Sequence, residues 1–431
     1  MSKYLLHEVA SSFKAISVRS IGVLSTLLVS IYIVRQYGVE INGAFQLAFA
    51  YVMIASAIAK LGQDQLALRE IAKYCAKNDP AEATKFLQSS LKLVTQASTI
   101  VSVILVGVIA YVNKPLLPYI ALFAPTVITI SIIWVIAEAM RGWQHVNIAV
   151  FWQAVFVPLV FLIVIFSMTS FSPIKSELIA LIYSIVSIVA LFAILRAWRS
   201  TVNYSLLSPI SQHLSFLSMF HSGKHFWLLA IMTGFAGWID LLVLSTITSN
   251  EVIGIYQPIV RTGTVVAVFI NMATSTLVAR LAILYAKGNN DEFLRLTRTY
   301  WLAIVISSLI LCIMFILNIN LITSAWGPEF AEYNLEFGAY IGVQLFQSIF
   351  ILPMLISPVI GLEKELAWIQ VLVLPLKIIS IIIGFIFMEI LGVIYALGLC
   401  TFVTSLLVFF FYIRQLKRKG MPWQQLVVRH L

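Results

Sequence analysis

A row of long apolar segments is the feature that most constrains the fold of this chain. A helix needs roughly 20 mostly apolar residues to cross a bilayer. Hydrophobic residues make up 61% of the 431 residues and charged residues 11%, whereas soluble chains carry about 25% charged residues. The sequence therefore predicts an all-α integral membrane protein of twelve spans. These spans are about 15–35, 42–63, 88–111, 117–137, 147–168, 175–196, 226–247, 253–284, 299–318, 338–360, 367–387 and 391–413.

The basic residues predict how the spans are oriented. With a cytoplasmic N-terminus, 20 of the 28 Lys and Arg residues fall on the cytoplasmic side, three on the opposite side, and five within or beside spans. Short cytoplasmic loops carry the excess of Lys and Arg in membrane proteins. We therefore expect both termini to be cytoplasmic. The same distribution explains the net charge of +10 and argues against a nucleic-acid partner, because no basic stripe forms.

The chain repeats part of its sequence at a spacing of 211 residues. Gly43 and Gln46 in the second span align with Gly254 and Gln257 in the eighth. Each half holds six spans, an even number, so both halves run in the same direction across the membrane. This predicts two six-helix bundles related by a pseudo-two-fold axis along the membrane normal, with a binding site between them. The predicted parts are an N-terminal bundle (1–196), a cytoplasmic linker (197–225), a C-terminal bundle (226–413) and a basic cytoplasmic tail (414–431).

Polar side chains line one face of several predicted spans at helical spacing. Such faces usually meet a wet cavity or another polar group, because an ionised side chain in lipid is costly. We predict a cavity anion site formed by the basic and amide side chains of these faces, and an ion-coupling site formed by their acidic side chains. The anion-site residues are Arg261, Arg19, Lys60, Gln46, Gln257 and Asn271, and the ion-coupling residues are Asp240 and Asp64.

Arg261 lies about eight residues into its span, roughly 12 Å deep at 1.5 Å per residue. Three interpretations are open. It faces a cavity and binds phosphate or carboxylate through its guanidinium, it pairs internally with Asp240, or it reaches the membrane surface. Asp240 is correspondingly a proton or cation coupling site, or only the counter-ion of Arg261.

The other charged positions have ordinary structural explanations as well. Lys60 and Asp64 are spaced for an i,i+4 ion pair near the inner mouth of the second span. Arg19 lies close enough to the inner edge of its span to reach the aqueous phase. No P-loop motif occurs, and the His221–His225 pair lacks further ligands. We therefore expect no metal or cofactor, and we expect no enzymatic activity.

Four stretches give the sequence a family resemblance: "GAFQLAFAYV", "LGQDQLALREIAKY", "IDLLVLSTITSNEVIGIYQPIVR" and "LYAKGNNDEF". With twelve spans in two halves, the chain resembles the polysaccharide-transporter branch of the multidrug/oligosaccharidyl-lipid/polysaccharide exporter superfamily, and it looks like an O-antigen flippase of the Wzx type. The resemblance implies a V-shaped pair of six-helix bundles whose first, second, seventh and eighth spans line a cavity.

The resemblance also implies a function. Such a flippase moves a polyprenyl-diphosphate-linked oligosaccharide from the cytoplasmic to the outer leaflet of the bacterial inner membrane, in lipopolysaccharide biosynthesis. Its expected partners are that lipid-linked oligosaccharide, membrane lipid, a polysaccharide polymerase and a chain-length regulator. Two other functions stay open, a proton- or sodium-coupled small-molecule antiporter and a non-transporting scaffold. A basic cavity favours the flippase and an acidic cavity favours the antiporter.

Overall fold

The computed structural model describes residues 2–171, 175–202 and 216–419. It describes no side chains for residues 2–17, 171, 216–217, 266–280, 282–283, 286 and 363. The described residues form helices and no strands, as predicted. The helices are α1 (Ser2–Tyr37), α2 (Val39–Ala59), α3 (Gln63–Ala76), α4 (Pro80–Val112), α5 (Leu117–Gly142), α6 (Val146–Val150), α7 (Phe156–Phe171), α8 (Leu178–Val202), α9 (Phe216–Ile247), α10 (Asn250–Ala286), α11 (Asn290–Leu317), α12 (Ile319–Trp326), α13 (Asn334–Ile356) and α14 (Glu363–Arg418).

Every predicted span falls on a helix. By length and composition, ten helical segments of the described part are suited to cross a membrane. The last of these, Lys364–Arg418, contains two predicted spans, 367–387 and 391–413. Its backbone leaves helical geometry between them, at Met388 and Glu389. The predicted eighth span corresponds to α10. Large apolar side chains are exposed along these helices, as expected where lipid surrounds them, so the chain is a multi-pass membrane protein.

Several boundaries differ from the prediction; for example, α13 ends at Ile356 instead of residue 360. The second span ends at Ala59 instead of residue 63, and a separate helix, α3, follows it. The segment 197–225 holds the end of α8 and the start of α9, and its residues 203–215 lie outside the described part of the chain. Residues 420–431 of the predicted tail also lie outside it. The predicted domain boundaries stay predictions.

The chain divides into two compact units. The first contains residues 1–245 and 249–254, and the second contains residues 246–248 and 255–431. In the first unit, α5 packs against α2, α3, α4 and α8. Small hydroxyl side chains join α5 to α8, with Thr126 bonded to Ser184 and Thr129 bonded to Ser187, each at 2.7 Å. Such residues let membrane helices approach closely.

In the second unit, α13 packs against α11 and α14. Its core contains Phe293 from α11, Ile341 and Leu352 from α13, and Tyr412 from α14, all nearly inaccessible to solvent. The indole N–H of Trp301 donates to the Ile349 carbonyl at 2.7 Å and fixes α11 to α13.

The two connections at the ends of α3 and α10 have the same local geometry at a spacing of 210 residues. Asn78 and Gly288 both have positive φ, 52° and 69°. One residue later, the side chains of Asp79 and Asn289 cap the following helices by accepting the amide N–H three positions on. A side-chain oxygen at this position satisfies an amide that the helix leaves without a partner. The repeated geometry supports the internal duplication predicted from the sequence.

The aligned glycines Gly43 and Gly254 pack against each other's helix within the first unit. A Cβ on Gly43 would overlap the Asn250 carbonyl oxygen, and one on Gly254 would overlap the Val39 carbonyl oxygen. The side-chain amide of Asn42 donates to the Gly254 carbonyl at 3.1 Å. The contact is reciprocal at the 211-residue spacing, so glycine is required at both positions for backbones to come this close.

Candidate functional site

The candidate site is built on the break between α2 and α3. Leu61 and Gly62 both have positive φ, 51° and 71°, so the chain leaves the helix after Ala59 and starts a new one at Gln63. A Cβ on Gly62 would overlap the Gly223 carbonyl oxygen on α9. The break, which we call the elbow (residues 60–63), therefore requires glycine for its backbone angles and for its approach to α9.

Side-chain hydrogen bonds fix the elbow between its neighbouring helices. The indole N–H of Trp227 on α9 donates to the Ile58 carbonyl at 2.8 Å. Gln63 is fully buried; its amide donates to the Met219 carbonyl on α9 and accepts from the Ser90 hydroxyl on α4, both at 3.1 Å. The backbone carbonyl of Ile58 and the side-chain amide of Gln63 thus both have hydrogen-bond partners, as buried polar groups require.

Lys60 and Asp64 form an ion pair across the elbow. The Lys60 Nζ lies 2.7 Å from Asp64 Oδ2, and the two side chains are 11% and 5% exposed. Asp64 Oδ1 accepts the Gln65 amide at 2.9 Å, in the first turn of α3, where the helix dipole favours a negative charge. The predicted pair is confirmed, although it joins two helices at a break instead of lying on one continuous helix.

The ammonium of Lys60 also lies over an aromatic ring. Its Nζ is 4.6 Å from the centre of the Trp134 ring on α5, close enough for a cation–π interaction. Asp64 and Trp134 together hold the Lys60 charge in a fixed position at the wall of a cavity.

This cavity lies within the first unit and has a volume of about 350 Å³. Four helices form its wall: α2, α3, α5 and α9. Its lining is mostly apolar and aromatic with a few polar groups, which is typical of small-molecule binding sites. The lining residues are Met53, Ser56, Ala57, Lys60, Asp64, Gln65, Ile130, Trp134, Phe226, Leu229, Ala230, Thr233, Gly234 and Trp238.

The cavity brings together two of the predicted site residues, Lys60 and Asp64. Three others in the first unit lie outside its lining. Gln46 is 1% exposed and donates to the Ser30 hydroxyl at 3.1 Å, so it joins α2 to α1. Arg19 is exposed on α1 and is not among the lining residues. Asp240 is 8% exposed on α9, two residues beyond the lining residue Trp238, and it is engaged in an interaction.

Three predicted site residues belong to α10 in the second unit. Gln257 is 4% exposed, and Arg261 is half-buried and engaged in an interaction. The side chain of Asn271 lies outside the described residues. The three alternatives for Arg261, an anion site, a pair with Asp240 or a side chain that reaches the membrane surface, stay predictions.

The aromatic part of the cavity was not predicted from the sequence. Trp134, Phe226 and Trp238 read as ordinary apolar residues of spans, and no charge marks them. Trp238 also packs edge-on against Phe49 at 6.0 Å between ring centres.

A second polar cluster lies outside the lining. Arg141 contacts the Glu138 carboxylate at 3.1 Å, and Gln153 bridges both residues at 2.8 and 2.9 Å. Gln153 stands in a single π-helical turn, Phe151–Val155. These residues fix the end of α5 to the start of the α6–α7 segment.

Partly buried Glu70 lies on α3, beyond the predicted spans. Burial raises the pKa of its carboxyl group, but hydrogen bonds and positive charge from Lys73 and Arg69 outweigh burial and hold that pKa below its ordinary value of 4.5. Arg69 also lies 5.5 Å from the ring centre of Phe226, a lining residue. The exposed side of α3 thus places positive charge near the cavity.

Solved structures with the same fold are transporters. One is described as the inward-facing conformation of a multidrug resistance MATE family transporter of the MOP superfamily (TM-score 0.71, 13% identity, 95% of this chain and 99% of that chain covered). A MATE transporter of Vibrio cholerae, VcmN in the bent form, has a TM-score of 0.61 at 16% identity, with 95% and 97% covered. At such identities the likeness concerns the fold. The comparison with curated proteins gives no match.

A family comparison covers well over half of the chain. Residues 9–283 match the model of the family described as "Polysaccharide biosynthesis protein". The matched range includes the elbow, the cavity and the first part of α10. The chain therefore belongs to this polysaccharide biosynthesis family, and its fold is that of the MOP-superfamily transporter structures to which it is similar.

Proposed function

We propose that the chain is a flippase that moves a polyprenyl-diphosphate-linked oligosaccharide repeat unit from the cytoplasmic to the outer leaflet of the bacterial inner membrane by alternating access. The observation that carries the proposal is the cavity of the first unit, where a fixed lysine ammonium stands among aromatic rings. A family of polysaccharide biosynthesis proteins and a transporter fold supply the context.

The cavity chemistry suits both polar parts of such a substrate. Lysine binds phosphate as a point charge, and Lys60 is the basic residue among the lining residues. The indole rings of Trp134 and Trp238 offer flat apolar surfaces on which the C–H face of a sugar ring stacks. The prenyl tail stays in lipid. An inside-negative potential favours outward movement of an anion by roughly 2.3 kcal/mol per charge per 100 mV.

The remaining predicted site residues keep proposed roles. Arg261, Gln257 and Asn271 form the anion site predicted from the sequence, and Asp240 couples an ion. Arg19 attracts the anionic headgroup from the cytoplasmic side, and both termini lie on that side. Gln46 acts through its bond to Ser30, by fixing α1 to α2. A polymerase and a chain-length regulator are the proposed protein partners in O-antigen-like assembly.

A proton- or sodium-coupled small-molecule antiporter is the second candidate. A structural neighbour that is a multidrug resistance transporter favours it, as do the buried carboxylates of Asp64 and Asp240. Against it stands Lys60, which neutralises Asp64 at the cavity wall and so removes the net negative charge that would attract a cationic drug. The two functions predict opposite substrate charges.

Deletion of the gene in its host, followed by analysis of lipid and glycan fractions, tests the proposal. A flippase deletion leaves lipid-diphosphate-linked repeat units in the inner leaflet and removes long surface polysaccharide. Complementation with the wild-type chain restores the polysaccharide, and Lys60→Met does not. Lys92→Met is a matched control, because Lys92 is exposed on α4 outside the cavity lining. Intact surface glycan with greater sensitivity to cationic compounds would support the antiporter.

A further inference from the structure

Lys60 has two partners, the carboxylate of Asp64 and the aromatic ring of Trp134. Its Nζ is bonded to Asp64 Oδ2 at 2.7 Å and lies 4.6 Å above the Trp134 ring. Asp64 Oδ1 is held by the Gln65 amide. In the described part of the chain, Lys60 is therefore the cation that neutralises Asp64, and the same ammonium faces the cavity where an anion would bind.

We infer that Asp64 is a proton-binding site linked to the anion site, and that a bound diphosphate and a proton share the Lys60–Asp64 pair. This inference rests on the proposed function. A diphosphate anion that contacts Lys60 draws the ammonium away from Asp64 Oδ2. A buried carboxylate that loses its counter-ion and gains an anionic neighbour favours its neutral form. Asp64 then takes one proton from water at Oδ2, Lys60 stays protonated, and no bond of the ligand breaks.

The charge balance of the cavity supports this link. The empty site holds one positive and one negative charge, so it is neutral. With a doubly charged diphosphate and an ionised Asp64, three negative charges face one ammonium, and a proton on Asp64 removes one of them. The loaded cavity thus carries a net charge of −1 instead of −2.

The neighbouring charged groups are paired elsewhere. On α3, Glu70 binds Arg69 and Lys73; on α4, Glu82 binds Lys85; on α5, Glu138 binds Arg141; and on α9, Lys224 contacts His221 while His225 is exposed. None of these pairs shares an atom contact with Asp64 among the described residues. Asp240 on α9 is engaged in an interaction of its own and is not among the lining residues of the cavity. The proton taken up on anion binding is therefore assigned to Asp64.

Isothermal titration of the purified full chain with farnesyl diphosphate measures the link directly. The heat measured in two buffers of different ionisation enthalpy gives the number of protons taken up per ligand bound. The titration is done at pH 8, because phosphate groups lose their second proton near pH 6. We expect uptake of close to one proton by the wild type, and an affinity that falls by up to tenfold per pH unit. Farnesol, which has no charge, gives the background.

Three variants sharpen the result. Asp64→Asn binds farnesyl diphosphate with uptake near zero, Lys60→Met binds at least tenfold more weakly, and Glu138→Gln, which changes a buried carboxylate outside the cavity, keeps the uptake of the wild type. Binding by the wild type without proton uptake and with a flat pH dependence would overturn the inference and leave the proposed function intact. Uptake that persists in Asp64→Asn would also overturn it. If the wild type does not bind farnesyl diphosphate, both this inference and the proposed function are overturned.

Discussion

Replacing Lys60 by methionine tests whether the elbow holds a buried ion pair or an ordinary surface pair. Exposed i,i+4 pairs contribute about 0.3–0.5 kcal/mol, whereas removing one member of a buried pair costs about 3–5 kcal/mol because a charge is left without compensation. With side chains 11% and 5% exposed, Lys60 and Asp64 belong to the second class.

The expected loss of stability for Lys60→Met follows from three contributions. The uncompensated charge of Asp64 gives the largest contribution. It lies at the lower end of the range of about 3–5 kcal/mol for buried pairs, because the adjoining cavity of about 350 Å³ admits water. Losing the cation–π contact with Trp134 adds about 0.5–2 kcal/mol. A methionine sulfur against the same ring recovers a similar amount. The net expectation is about 3 kcal/mol.

The double variant Lys60→Met/Asp64→Asn isolates the charge. Asparagine keeps an acceptor for the Gln65 amide and carries no charge, so the loss falls to about 1 kcal/mol. Chemical unfolding in mixed micelles measures these values, and thermal midpoints give the same order as a second readout. A single-variant loss below about 0.5 kcal/mol, with no recovery in the double variant, would place the pair in the surface class and refute the reasoning.

Three further predictions concern the surroundings of the cavity. Gly62→Ala should lower stability by more than about 1–2 kcal/mol, because φ is 71° and the methyl group meets α9, whereas Gly107→Ala, with open space around it, should raise the thermal midpoint. Trp227→Phe removes one hydrogen bond to α2 and should cost about 1 kcal/mol in the same unfolding assay. Glu70, whose folded pKa is lowered by its basic neighbours, contributes stability above pH 4.5 that is lost as the pH falls through that lower pKa. Glu70→Gln should therefore lower the thermal midpoint at pH 7, and the difference from the wild type should shrink as the pH is lowered below 4.5.

The positions of the spans could be predicted because one physical requirement dominates them. Each crossing must be long and apolar and must satisfy its own backbone hydrogen bonds, so composition alone finds α4, α5 and α8. The end of α2 could not be found in this way. Leu61 continues the apolar pattern, and the break depends on Gly62 and on its contact with α9, which is distant in sequence.

The charged part of the site was predictable and its aromatic part was not. Lys60 and Asp64 stand out because ionised groups are rare in spans, and their spacing indicates a pair. Trp134 and Trp238 could equally face lipid, a packed core or a cavity, since hydropathy does not distinguish these surroundings. Gln46 shows the opposite error: its polar side chain suggested a cavity, but it is satisfied by Ser30 between two helices.

The most direct test of the central claim is a flipping measurement on the purified chain in sealed vesicles. A fluorescent polyprenyl-diphosphate disaccharide is placed in both leaflets, and a membrane-impermeant reductant destroys the fluorescence that reaches the outside. We predict that the wild-type chain makes nearly all of the fluorescent lipid accessible, while vesicles with Lys60→Met resemble protein-free vesicles and those with Lys92→Met resemble the wild type. Equal accessibility with and without the wild-type chain, in vesicles where the same protein transports a cationic dye, would contradict the flippase account.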